Sequence, residues 1–164
     1  YEAVVEVRSR VLGAEHIDTL KTSCNLGLAF RSCGDLDRGE EVLRRTLLGL
    51  ERVVGRPHPL TLTALQNLSL VLSARRPPPL EAEELASEAA EGKHRALGPD
   101  HPDTLEGRRD LASVLNACGQ AERAEEALRQ ALAGMERVLG FEHPDTQAAV
   151  RQLHGWLRAR GEDA

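Results

Sequence analysis

Apolar residues recur at helical spacing along most of the chain. Val4, Val7 and Val11 share one face near the start, and Leu26 and Phe30 share another further on. Spacings of three and four residues are typical of amphipathic helices, whereas a half-buried strand alternates at every second residue. Glycine or proline interrupts the pattern at regular places. It predicts an all-α chain of about eight helices, at residues 1–12, 17–32, 36–54, 59–75, 80–97, 102–117, 120–139 and 144–160.

One short motif returns four times between these helices. Its clearest copy is LGPDHPDTL at residues 97–105, and its histidines stand at 16, 58, 101 and 143, in steps of 42, 43 and 42 residues. A fixed period of this size indicates a stack of repeats rather than a single globular core. We expect one continuous domain, residues 1–164, made of the end of a preceding repeat (1–15), three full repeats (16–57, 58–100 and 101–142) and a terminal helix (143–164).

The residues of the motif have expected structural roles. The glycine suits a helix end with positive φ, and the histidine before proline suits the N-cap of the next helix. An arginine stands three residues before each glycine, where the helix dipole favours a cation; the four are Arg10, Arg52, Arg95 and Arg137. Equivalent residues of stacked helices lie at least about 8 Å apart, too far for the roughly 2 Å bonds of one metal ion. We therefore expect the four histidines to be structural and bind no metal.

Bulk composition excludes several classes of function. The net charge of −5 argues against a nucleic-acid binder, and no apolar run is long enough to cross a membrane. We expect a soluble, cytoplasmic chain that is part of a longer protein, since it starts at Tyr1 within an apparent helix. Cys24, Cys33 and Cys118 lack metal-site spacing and are expected to be buried or half-buried free thiols. No phosphate loop or nucleophile elbow occurs, so neither an enzyme nor a cofactor is expected.

Small residues recur where paired helices would cross. A leucine followed by a small residue marks the first helix of each pair in Leu26-Gly27, Leu68-Ser69 and Leu111-Ala112. This pattern resembles the tetratricopeptide repeat, and the 42-residue period with LGxxHPDTL resembles its kinesin-light-chain type, also found as sensor arrays of large signalling ATPases. Ser23 and Arg108 depart from the pattern at a normally apolar position. The resemblance implies a right-handed α-solenoid whose concave face binds protein partners.

The first helix of each pair carries a polar stripe opposite its core face. Five cations and two anions, Glu106 and Asp110, lie on these stripes, so the concave face is expected to be basic and to attract an acidic, extended peptide. The resemblance implies that Asn25 and Asn67 hold the bound peptide. The predicted peptide-binding residues are Lys21, Asn25, Leu28, Arg31, Gln66, Asn67, Leu70, Arg109, Asn116, Arg151 and Arg158.

Three alternatives to this scaffold remain open. The polar stripes could be an ordinary solvated surface. The chain could instead be a structural piece of a larger assembly, packing or self-associating through its end helices at residues 1–12 and 145–160. It could also be the sensor repeat region of a larger signalling ATPase. Exposure of Val4, Val7 and Val11, or of Val150, Leu153, Trp156 and Leu157, would favour the assembly.

Overall fold

The structure, a computed structural model, describes residues 1–161. Within that range it contains eight helices and no strand, which confirms the predicted all-α class. Each helix begins and ends within two residues of its predicted bounds. The last three residues of the predicted terminal segment, 162–164, lie outside the described part. The helices are α1 (Glu2–Val11), α2 (Ile17–Ser32), α3 (Leu36–Val53), α4 (Pro59–Ser73), α5 (Leu80–Leu97), α6 (Pro102–Ala117), α7 (Ala121–Leu139) and α8 (Pro144–Arg160).

The repeated motif ends one helix and starts the next, as predicted. Gly98 ends α5 with φ of +90°, and the three equivalent glycines share this conformation. His101 is the N-cap of α6, and its Nδ1 accepts a hydrogen bond of 3.1 Å from the backbone N–H of Asp103. The other three motif histidines accept the same bond at 3.2 Å. Two arginines of the motif also bridge the helices of a pair, because Arg52 contacts Glu15 and Arg137 contacts Asp100.

Small residues allow the two helices of a pair to pack closely. Leu20 of α2 lies against Gly49 of α3, where an added Cβ would be 2.8 Å from the leucine Cδ2. A side chain at Gly49 would therefore displace the Leu20 side chain from this contact. The same leucine-on-glycine contact joins the next two pairs, through Leu62 with Gly92 and Leu105 with Gly134.

Successive pairs then stack on each other. The central core joins α3, α4, α5 and α6 around Leu43, Leu68, Val71 and Val114. α4 also packs directly against α2 on one side and α6 on the other. Across residues 1–161, no comparably close approach joins α3 to α5 or α5 to α7. Because curvature brings the helices on its inner side together, α2, α4 and α6 form the inner wall of the array.

The three cysteines differ in their exposure. Cys24 is buried and Cys118 half-buried, but Cys33 is exposed just after α2, so its predicted burial is wrong. Leu36 begins α3 only three residues later, leaving Cys33 in a short turn with little to cover it. None of the helices between residues 1 and 161 combines the length and apolar character needed to span a membrane.

Candidate functional site

The inner wall carries an open polar strip on α2. Lys21, Asn25 and Arg31 are exposed there, with Leu28 half-buried beside them. These four predicted residues lie three or four positions apart and therefore share one helical face. The strip presents two cations, one amide and one aliphatic side chain to solvent.

The equivalent strip on α4 is closed. Gln66, Asn67 and Leu70 are only 4%, 5% and 8% exposed, so the prediction that they line an open surface is wrong. The physical reason is the direct packing of α2 and α6 on both sides of α4. The middle of the inner wall is therefore a tight contact between helices rather than a wide groove.

A polar network that the sequence did not reveal fixes Gln66. The Lys93 ammonium of α5 donates to the Oε1 of Gln66, whose Nε2 in turn donates to Asp110 of α6 over 2.6 Å. Lys93 is 1% exposed and occupies the position that buried Leu50 and Met135 hold in other repeats. The sequence signal that could have indicated this network is a lysine at a repeat position that is otherwise apolar.

Burial changes the protonation of the groups around this network. Loss of solvent lowers the pKa of Lys93, although the charges of Glu106, Asp103 and Asp110 oppose the change. Burial raises the pKa of Glu106, and the charge of Asp110 raises it further. Both shifts favour neutral groups, as expected for the fully buried Lys93, although the Glu106 side chain itself is 53% exposed.

The cations of the third and fourth repeats differ in availability. The Arg109 side chain is 20% exposed and lies 3.5 Å from Asp110 and 3.8 Å from Glu106, so nearby acids balance its charge. On α8, Arg151 and Arg158 are exposed, and Arg158 has a partner of its own. Asn116 is exposed near the end of α6. The exposed positive charge of the first helices of the pairs therefore lies mainly on α2 and on the terminal helix α8.

Asn67 is an unusual residue of this wall. Its side chain is nearly buried, yet its amide makes no hydrogen bond with any side chain or backbone group in the described residues. Its amide atoms nevertheless keep some contact with solvent, because Asn67 is not among the described residues whose polar side-chain atoms are fully buried without a partner. The equivalent amide of Asn25 is exposed and likewise has no partner there. The two asparagines thus offer unused donors and acceptors at adjacent repeats.

The part of the chain that the structure describes contains no group of three or more His, Cys, Asp or Glu side chains able to hold a metal ion. The inner wall is instead an array of amides, cations and half-buried aliphatic groups. Such an array can bind by hydrogen bonds and charge.

Comparison with known proteins identifies this arrangement. The family model for the tetratricopeptide repeat matches residues 19–60 and 104–145, which together make up just over half of the chain. The chain belongs to the tetratricopeptide repeat family. Tetratricopeptide repeats are in general protein-interaction scaffolds and are typically non-catalytic. The comparison with curated proteins found no match.

Solved structures refine the type of repeat. Two crystal structures of a Podosopora anserina protein, described as a kinesin light chain with nearly identical TPR-like repeats, match with TM-scores of 0.73 and 0.71. Each is 27% identical, over 98% of this chain and 76% of that one. BtubC (BKLC) from P. vanneervenii shares the fold with a TM-score of 0.73 at 19% identity, over 88% of this chain and 57% of its own. The predicted kinesin-light-chain type and helical solenoid are therefore confirmed.

Proposed function

We propose that this tetratricopeptide repeat array binds an extended, acidic peptide segment of a partner protein along its inner wall. The observation that carries the proposal is Asn67, whose side chain is nearly buried but whose amide still reaches solvent and has no hydrogen-bond partner within residues 1–161. An extended backbone supplies the N–H and C=O groups that such an amide lacks. The proposal treats residues 1–164 as one domain, acting in the cytoplasm without a cofactor.

Charge supports an acidic peptide rather than a basic one. Lys21 and Arg31 lie ten residues apart on one face of α2, a rise of about 15 Å. Neither cation has an ion-pair partner among the residues described. Arg151 adds an exposed cation on α8. An extended peptide with an acidic residue near each end could pair with Lys21 and Arg31. Apolar side chains between its two acids would then contact Leu28.

Asn67→Ala tests the amide. Alanine removes the hydrogen-bonding group without adding volume, so we expect the affinity for a fluorescein-labelled acidic peptide, chosen from an array, to fall about tenfold in anisotropy titrations. The melting temperature should not fall, because the free protein loses no hydrogen bond. Unchanged affinity would exclude a role for the amide. A large fall in melting temperature would show that Asn67 serves the fold instead.

Charge reversal on α2 tests the chemistry of the peptide. The double variant Lys21→Glu and Arg31→Glu should weaken binding about fivefold to tenfold at low salt, and less at high salt, because both side chains are exposed. The double variant Arg95→Glu and Arg129→Glu is the matched control, since it reverses the same number of exposed cations, on α5 and α7, away from the inner wall. Equal losses in the α2 double variant and the control would indicate only a general charge effect.

One observation favours a second function, assembly through the first helix. Val4, Val7 and Val11 of α1 are 46%, 48% and 71% exposed. Val4 and Val7 occupy the positions that Thr46 and Gly49 hold in α3, where α2 packs. α8 offers less, because its Leu153 is buried and Val150, Trp156 and Leu157 are half-buried.

Sedimentation equilibrium distinguishes the two functions. If the chain self-associates through α1, the variant carrying Val7→Lys and Val11→Lys should be monomeric at concentrations where the unaltered chain is not. Peptide affinity should be the same in both, since α1 lies outside the proposed peptide site. A chain that is monomeric before substitution would eliminate self-association and leave the peptide proposal standing.

A further inference from the structure

A cavity of about 430 Å³ lies on the outer side of the array, between α1, α2 and α3. Its floor includes Leu20 and Leu26, which are buried, and its mouth includes Leu48, Arg45 and Arg52, which are exposed. The cavity is separate from the inner wall, because it opens between α1 and α3, the second helices of two successive pairs.

The next junction of the array carries leucines where the first does not. Three leucines stand there at equivalent positions, Leu47 on α3, Leu65 on α4 and Leu85 on α5. They form one apolar cluster with Leu62 and Ala89. A cavity of about 430 Å³ also lies at the second junction, but none of these three leucines lines it, so they fill the deep part of that junction.

Smaller residues replace all three leucines at the first junction. The equivalent positions carry Val5 on α1, Ser23 on α2 and Val42 on α3, and all three line the cavity. Ser23 is one of the two departures from the repeat pattern, and its hydroxyl donates only to the backbone oxygen of Thr19 over 3.0 Å. Three shorter side chains thus line the cavity at the positions where the second junction carries leucine.

Charges at the two junctions are also arranged differently. At the second junction Arg56 bridges two acids: its guanidinium donates to both carboxylate oxygens of Glu88, over 2.6 and 2.7 Å, and also contacts Glu51. A cation therefore balances two carboxylates at the outer rim of that junction, where Arg56 and Glu88 line its cavity.

At the first junction the bridging cation is absent, and an arginine replaces one of the two acids. Ala14 stands in place of the arginine, Ser9 in place of one acid, and Arg45 in place of the other. The Arg45 side chain is 82% exposed, and its recorded ion-pair contact is at 4.0 Å within its own helix. Arg52 shares the rim with Glu15. An anion bound between Arg45 and Arg52 would balance their charges, as Arg56 balances the two acids at the second junction.

We propose that this outer cavity binds a small amphipathic monocarboxylate, with its aliphatic body over Leu20 and Leu26 and its carboxylate at Arg45 and Arg52. The aliphatic body takes the space that three leucines fill at the second junction. The carboxylate forms a charge-assisted hydrogen bond with Arg45, the less engaged of the two arginines. The site is independent of the peptide site on the inner wall.

Isothermal titration with decanoate, kept below the concentration at which it forms micelles, tests the proposal. A ligand of this size should bind with a Kd of about 1 mM or tighter, one molecule per chain. Decanol has the same body without the charge, and decyltrimethylammonium carries the opposite charge. Both should bind at least about fivefold more weakly. Equal binding of decanoate and decanol would overturn the proposal, as would no binding of decanoate.

Three variants locate the site. Ser23→Leu restores the leucine of the second junction, so it should abolish decanoate binding and raise the melting temperature by a few degrees, about 2–4 °C. Val42→Leu should weaken binding by filling the same space and provides a second test if Ser23→Leu folds poorly. Arg45→Gln should weaken binding about threefold to fivefold, because the arginine is exposed. Arg137→Gln, at the position equivalent to Arg52 in α7, is the control and should bind as the unaltered chain does. Unchanged binding in Ser23→Leu or Val42→Leu, with the fold intact, would place decanoate elsewhere and overturn the proposal.

Discussion

Single residues at equivalent repeat positions have different roles in this array. Leu50, Lys93 and Met135 share one buried position, yet only the lysine needs a polar partner there. Gln66 supplies it and passes the interaction on to Asp110. A charged residue at an apolar repeat position is therefore accommodated by a second polar residue on the neighbouring helix. This compensation occurs across helices, between residues 27 positions apart.

Lys93 makes stability depend on alkaline pH. Its pKa is lowered by burial, so between that value and the unfolded pKa of about 10.4 the unfolded chain binds more protons. The free energy of unfolding of the unaltered chain, minus that of Lys93→Met, should therefore rise as pH increases from 7 to 10. Taking this difference cancels the effect of Cys24, whose burial raises its pKa to about 12 and which opposes the trend in both proteins. If urea unfolding gave the same pH dependence of the unfolding free energy for both proteins, Lys93 would be equally protonated in the folded and unfolded states.

Gly98 tests the cost of a left-handed residue at a helix end. An added Cβ would meet no atom within 4 Å, so Gly98→Ala should destabilise only through its φ of +90°, by about 1–2 kcal/mol. Gly155→Ala is the matched control, because it also meets nothing within 4 Å but lies inside α8. There alanine should stabilise by about 0.5–1 kcal/mol. Thermal unfolding that moved both variants in the same direction would contradict the distinction.

At the scale of the helix, the histidine cap sets where each inner-wall helix begins. The Nδ1 of His101 accepts the otherwise unpaired N–H of Asp103 at the start of α6, and proline follows directly as the first helical residue. A side chain without an acceptor leaves that N–H to solvent. We expect His101→Ala to lower the free energy of unfolding by about 1 kcal/mol. His101→Asn should lose much less, since asparagine is a good N-cap. Equal losses in the two variants, measured by urea unfolding, would mean that the imidazole acts by packing rather than as a cap.

Local signals explain why the helices could be predicted and part of the site could not. Glycine, proline and the cap histidine mark each helix end within a few residues, so the bounds followed from the sequence. Asn25 and Asn67 occupy the same repeat position, yet one is exposed and the other nearly buried. That difference depends on how closely α2, α4 and α6 approach, which the rotation between repeats sets and no local pattern encodes. The depth of the outer cavity could have been suspected from Ser23, but only the leucine cluster of the second junction shows which side chains are missing around it.

At the scale of the whole molecule, each helix is stabilised by the neighbours it packs against, so stability should fall from the middle of the array to its ends. α4 has 12 buried residues among its 15, whereas α1 has none. Native-state hydrogen exchange should therefore be slowest in α4, intermediate in α8 and fastest in α1. Amides of α1 should be at least about tenfold less protected than those of α4. The same order should hold at moderate urea, where α1 and α8 open before the central pairs, because their opening exposes less apolar surface than opening α4 does. Uniform protection across the eight helices would instead show a single cooperative unit, in which the end helices are as tightly coupled as the centre.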